Sequence, residues 1–358
     1  MNNQESTMKR SFQPDYRHVV EAAYNREAAR LPLYEHGFSV RVVEAVLGEP
    51  VTELLKGSYR DKVEGYRRIC RCGIKLGYDC VPFEKCADQL VQGGAGLSGR
   101  ASAIIANMDD LERFPWDRKR DDYVSRFEQD FCAFREALPD GMKAVGGIGN
   151  GLFELIQDFV PFQSLAFLQM DEPDVYQQLW IRVGDLLEAL WRWLLENHAD
   201  MFAVCRFGDD LGFRSATLLG PDEIRMHIIP QYKRIVDRVH AHDKPFLLHS
   251  CGKIYDVMDD LIERVGIDAK HSNEDGIDTF DVWVERYGDR IGNFGGIEMN
   301  IMTLNTPDEV KDYVRALLPK VDGHGGIAIG TGNQISDYTK PENWIAMTEA
   351  VREWRGGL

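Results

Sequence analysis

Two side chains at the end of one short apolar run carry the sharpest chemistry in this sequence. The stretch Pro245-Phe-Leu-Leu-His-Ser-Cys-Gly252 passes from Phe246 through Leu248 into His249, Ser250 and Cys251. Alternate residues of a strand point to the same face. The imidazole of His249 and the thiol of Cys251 would therefore face one way, within reach of one metal ion or one substrate. Imidazole and thiolate are donors that suit zinc, and a catalytic zinc needs three protein ligands and an open position. The pair supplies two. The third stays open among Glu298, Glu35, Asp210, His36 and His271. Without a metal, the same pair reads as a histidine bonded to its neighbours and a cysteine packed as a small apolar residue.

Such a pair needs a scaffold. Apolar runs of strand length occur at 31–36, 78–83, 142–146, 201–207, 246–250, 266–271, 290–297 and 325–330. Helical periodicity or helix-start signals occupy 17–30, 40–56, 60–76, 123–137, 151–158, 161–170, 173–198, 221–241, 253–265, 278–287, 306–320 and 341–354. Strands that alternate with helices are parallel strands with crossover helices. Eight such units predict an α/β protein built as a single (β/α)8 TIM barrel, and 358 residues accommodate one with additions. An open doubly wound sheet is the alternative, but no Gly-x-Gly-x-x-Gly follows the first strand. Residues 1–16 read as a flexible polar tail, and 17–358 as the barrel with an N-terminal helical extension. Residues 84–122, with the Gly-rich 92–100, read as an insertion after strand two, a hairpin or a lid.

Barrels of this kind place their active sites at the carboxyl ends of the strands. Here those ends carry Glu35 and His36, Asp209 and Asp210, His249 and Cys251, Lys270 and His271, Glu298, and Thr331 with Asn333. Asp210, Glu35 and His36 are the candidates for proton transfer. Asp209, Lys270, His271 and Asn333 are the candidates for lining a substrate pocket. Asp209-Asp210 would equally cap the turn that follows it, and Glu35-His36 would equally be surface charge beside a loop. Gly295-Gly296 and Gly330-Thr-Gly-Asn333 have the composition of a phosphate cradle, or simply of tight turns. Cys70-x-Cys72 and Cys80-x5-Cys86 do not match a zinc ribbon and read as core.

Lys plus Arg number 42 and Asp plus Glu 58, for a formal net charge of −16. That balance argues against a nucleic-acid or anionic-membrane partner, both of which call for basic patches. The seven cysteines are irregularly spaced and do not form a disulfide framework. The first residues lack the apolar core of a signal peptide, and no run is long and apolar enough for a membrane span. A cytoplasmic location is the expectation.

The chain resembles the uroporphyrinogen decarboxylase superfamily, which also contains corrinoid-dependent methyltransferases. The likeness lies in His249-Ser-Cys-Gly252 and Gly266-Ile-Asp268, with Gly208-Asp-Asp-Leu-Gly212, Pro221 and Pro230-Gln-Tyr232 before them. It continues through Tyr287-Gly-Asp-Arg-Ile291, Gly295-Gly-Ile297 and Pro341-Glu-Asn343, and covers about 140–355. It implies a single (β/α)8 barrel. The decarboxylase branch grips a polycarboxylated tetrapyrrole through an Arg-rich segment after strand one. Here that place holds Tyr34-Glu-His-Gly-Phe38, without those cations. The methyltransferase branch holds zinc with a His-x-Cys pair and a Cys at the end of strand eight. His249 and Cys251 match the pair, and the third position falls at Thr331. An oxygen ligand, with Glu298 first in line, is then expected to complete the site. The resemblance implies a zinc-dependent methyltransferase moving a methyl group between a small substrate and a corrinoid on a partner protein, and it is compatible with a homodimer. The alternatives are a metal-free decarboxylase of a carboxylated substrate, with Asp210 or Glu35 stabilising a protonated intermediate, and a non-catalytic barrel that binds a tetrapyrrole.

Overall fold

The structure, a computed structural model, describes residues 12–91 and 103–357. The Gly-rich centre of the expected insertion and most of the expected tail lie outside the described residues. The described strands are β1 (Cys80–Lys85), β2 (Lys143–Ile148), β3 (Phe202–Gly208), β4 (Phe246–His249), β5 (Ala269–His271), β6 (Gly292–Ile297) and β7 (Ile327–Thr331). They form one 7-stranded sheet in the order β1-β2-β3-β4-β5-β6-β7, every neighbouring pair parallel. Spatial order equals chain order, and a helical crossover joins each strand to the next, as parallel pairing requires. The architecture is α/β and TIM-barrel-like.

The expected first strand, 31–36, is reduced to one parallel bridge between Leu33 and Ile329. Tyr34 N donates to Ile329 O at 2.9 Å, and Ile329 N donates to Pro32 O at 3.0 Å. Pro32 has no N–H to extend the ladder. The helix expected at 17–30 ends at Ala23, because Asn25 takes a left-handed backbone, φ 55°. Its amide bonds to Gly288 O and to the N–H of Gly326. The helix expected at 40–56 is split into Val40–Leu47 and Thr52–Lys56 by left-handed Gly48 and by Pro50. The expected excursion 84–122 is shorter than its sequence suggests. Lys85 belongs to β1, and a helix already runs from Trp116 to Ala137. Its first two turns are highly charged, which hides the helical period until Tyr123 and Phe127 turn inward.

Val145, Val204, Leu247, Ala269, Phe294 and Ala328, one from each of β2 to β7, share a buried cluster with Val19, Ala22 and Ala23 of the helix Arg17–Ala23. That helix closes the end of the sheet from which the strands start. Gly292 begins β6 and Gly326 directly precedes β7, and a Cβ there would lie 2.3 Å and 2.0 Å from Ala22 O. Only glycine lets the helix backbone come that close. Two residues beyond Leu247 and Ala269, on the same faces, stand His249 and His271. The interior thus changes from apolar to imidazole toward the carboxyl ends. Gly326→Ala is expected to lower unfolding stability by about 1–3 kcal/mol through overpacking against that helix, measurable as a lower urea midpoint.

Candidate metal centre

Three strand ends stand side by side. In the register of the sheet, Gly208 pairs with His249, and His249 pairs with His271. Beyond them the loops after β3 and β4 are joined through their main chains. Asp209 N donates to His249 O (2.9 Å), Gly212 N to Cys251 O (3.2 Å), and Lys253 N to Phe213 O (2.8 Å). Gly252 has φ +79°, and a Cβ on it would lie 2.2 Å from Gly212 C. This close contact leaves Asp210 Oδ1 accepting the Cys251 N–H at 2.9 Å. His249 Nε2 then lies 3.5 Å from Cys251 Sγ and 3.9 Å from Asp210 Oδ1. One ligand atom from each of Asp210, His249 and Cys251 falls within 4.8 Å of the others. Ser272 Oγ and Asn333 Nδ2 each approach Cys251 Sγ at 3.5 Å.

The electrostatics suit a cation. Burial, reinforced by the Asp210 carboxylate, pushes the Cys251 thiol above its ordinary range, and burial, with the Arg206 guanidinium nearby, pushes His249 well below its own. Without a counter-charge, the site favours a neutral thiol and a neutral imidazole. A divalent ion inverts that preference for sulfur and leaves an imidazole lone pair to coordinate. Nitrogen, sulfur and oxygen donors at this spacing fit zinc.

Behind His249 the structure is equally polar. His249 Nδ1 lies 2.7 Å from His271 Nδ1, and His271 Nε2 lies 2.9 Å from Thr331 O. The His36 ring lies against His249, tilted by 30°, with centroids 3.8 Å apart. Arg206 holds His36, with Nη1 2.9 Å from His36 Nε2 and Nη2 donating to the His36 carbonyl at 3.0 Å. Arg206 itself pairs with Glu84 at 2.7 Å. Glu35 accepts the Thr331 N–H (3.1 Å), the Thr331 hydroxyl and the Tyr78 hydroxyl (3.2 Å), and burial pushes its carboxyl up to about 8. Lys270 donates to Ser272 O and sits 4.3 Å from the Trp283 ring centre; burial lowers it to about 8.

The structure therefore gathers His249, Cys251, Asp210 and Asn333 at one point, with His36 and His271 beside them. Two expected roles need correction. Glu298, the first choice for third ligand, is not in the cluster: it accepts from Asp275 N at 2.8 Å and Asn300 N at 3.4 Å, capping the helix Met299–Leu304. The oxygen beside His249 is that of Asp210. Asp209, expected to face substrate, is fully buried and accepts from Phe153 N (2.8 Å), Glu154 N (2.7 Å) and the Tyr232 hydroxyl. It caps the neighbouring helix Leu152–Phe159 rather than the turn that follows it. Glu35 stands behind Thr331, and Lys270 is engaged with Ser272 O and Trp283.

Sequence reasoning missed Glu154, Ser272 and Arg206. Burial first, then the charges of Asp209 and Asp210, push Glu154 up to about 9. No motif marks it, but it lies in the first turn of the helix that follows β2, where the strand-end rule would look next. Arg206 had a signal: a lone cation inside the apolar run Ala203-Val-Cys-Arg-Phe207 must find partners.

An α/β sheet of parallel strands with metal-competent side chains at its carboxyl edge defines a TIM-barrel-like protein. The chain belongs to the uroporphyrinogen decarboxylase (URO-D) family, whose model matches residues 107–354, more than half of its length. No curated protein sequence matches it. Among solved structures it is similar to a methyltransferase from Methanosarcina mazei, with TM-score 0.70 and 16% identity over 96% of this chain and 99% of that one. It is also similar to a B12-independent methionine synthase from Shewanella sp. W3-18-1, with TM-score 0.52 and 16% identity over 94% and 99%. At such identities the likeness is one of fold.

Asp209→Ala is expected to leave buried N–H donors of Phe153 and Glu154 unpaired, costing about 1–3 kcal/mol for each. The loss would be seen in denaturant unfolding, with metal stoichiometry unchanged in the folded fraction.

Proposed function

We propose that this chain is a zinc-dependent methyltransferase that moves a methyl group between a small substrate and a corrinoid carried on a separate protein. The observation that carries the reading is the convergence of Asp210, His249 and Cys251, which would hold the zinc. Bound there, zinc would supply Lewis acidity, lowering the pKa of a substrate thiol or polarising a substrate oxygen. The chain's own residues do the rest. Asp210 brings a carboxylate to the site, Ser272 and Asn333 hold the Cys251 sulfur, and the buried imidazoles keep water from behind His249. The same reading takes residues 17–358 as one cytoplasmic (β/α)8 barrel, closed by the segment at Leu33 that bridges to β7. For membranes, no described helix is long and apolar enough to cross one.

The charge around the site argues against a polycarboxylated tetrapyrrole as substrate. The two cations within it are already engaged, Arg206 with Glu84 and Lys270 with Ser272 O and Trp283. The Asp210 carboxylate instead faces the site beside His249 and Cys251.

Protein purified without chelator is expected to carry one equivalent of zinc by elemental measurement. His249→Ala and Cys251→Ala should lose it, together with methyl transfer to a reduced corrinoid. Absence of zinc from the wild type, or carbon dioxide release that persists in a chelator, would overturn the proposal in favour of metal-free decarboxylation.

A further inference from the structure

We infer that His271 is a positioning residue rather than a ligand. With the carbonyl of Thr331, a residue that Glu35 holds through its N–H and hydroxyl, it fixes His249 as the tautomer whose Nε2 carries the lone pair. The inference rests on the metal reading for what that lone pair does, but the tautomer is a property of the protein without metal.

The argument is one of donors and acceptors. A carbonyl oxygen only accepts, so His271 Nε2, 2.9 Å from Thr331 O, must bear a hydrogen. A neutral imidazole has one N–H, which leaves a lone pair on His271 Nδ1. His249 Nδ1 stands 2.7 Å away and must therefore donate, since two facing lone pairs at that distance would repel. The only nitrogen of His249 left without hydrogen is Nε2, the one that faces Cys251 Sγ and Asp210 Oδ1. Both rings are buried, and removal from water disfavours a charged imidazole.

The chain of bonds extends to the outer wall of the sheet. Trp344 Nε1 donates to the Tyr78 hydroxyl at 2.8 Å, and that hydroxyl donates to Glu35. Glu35 accepts the N–H and hydroxyl of Thr331, and Gly332 N donates to Ile297 O at 2.7 Å. Thr331 is thus held on two sides, and its carbonyl is aimed at His271. An unconstrained neutral histidine in water favours the hydrogen on Nε2, which would block coordination there. A metal-bound histidine commonly donates its other N–H to an acceptor that fixes ring and tautomer. Here the acceptor is a second histidine, itself fixed by the main chain. The same logic decides between two clusters of similar spacing. His36, His249 and His271 also bring nitrogens within 4.8 Å of one another. In that group, however, the His271 lone pair is used by His249, and the His249 lone pair faces the other way.

The test uses metal-free full-length protein labelled with 15N-histidine, in long-range 1H–15N correlation spectra at neutral pH. Hydrogen on Nδ1 of His249 and on Nε2 of His271 is expected; hydrogen on Nε2 of His249 would overturn the inference whatever the variants do. In His271→Phe, His249 should shift toward the Nε2–H form, and zinc affinity by chelator competition should fall about 10–100-fold. His271→Gln, whose amide both donates and accepts, should recover part of that loss. Unchanged affinity in a folded His271→Phe would also overturn the inference. The expected tautomers in a protein that binds no zinc would uphold the positioning chain and sink the metal reading, so the two failures are distinguishable.

Discussion

The site depends on the register of parallel strands. Main-chain hydrogen bonds set Gly208, His249 and His271 abreast, and no side chain could bring two imidazoles to 2.7 Å if that register slipped by one residue. A one-residue shift of β4 would turn His249 to the opposite face and bring Leu248 inward. The apolar layer below, from Val204 and Leu247 to Ala269, prevents this, because each strand has a residue that must stay inside. Packing at one level therefore fixes chemistry at the next.

Gathering so many polar groups inside a sheet is costly unless each finds a partner. Here hydrogen bonds are handed along: Trp344 to Tyr78 to Glu35, Thr331 to Glu35, His271 to Thr331, His249 to His271. Arg206, Glu84 and His36 form a second such set. Direction is propagated as well as distance, since each acceptor decides which atom of its neighbour bears hydrogen. The outward result is a lone pair facing a sulfur and a carboxylate.

Much of this was legible in the sequence. Seven of the eight expected strands stand within about three residues of their expected places, and the long helix Pro173–His198 stands where its period put it. The His249–Cys251 pair was visible because strand alternation is a local rule. Asp210 stood among the candidate partners, but the sequence did not decide between it and Glu298. Glu298 and Asp210 both follow a strand, and which one turns inward depends on loop closure, through contacts between residues 41 and 23 positions apart. Asp209 and Asp210 are adjacent yet have opposite fates, one capping a helix and the other facing His249. No composition rule separates them. The first strand is shorter than its apolar run because Pro32 lacks the donor that would extend the ladder.

The contact of Gly212 with Gly252 is one of backbone with backbone. The spacing of Asp210 to Cys251 is therefore set by the main chain and not by the shapes of nearby side chains. Residues around the mouth are free to drift toward a new substrate without retuning the donors. A lineage built on such a joint can change the side chains around it while inheriting the spacing of Asp210 and Cys251 unchanged.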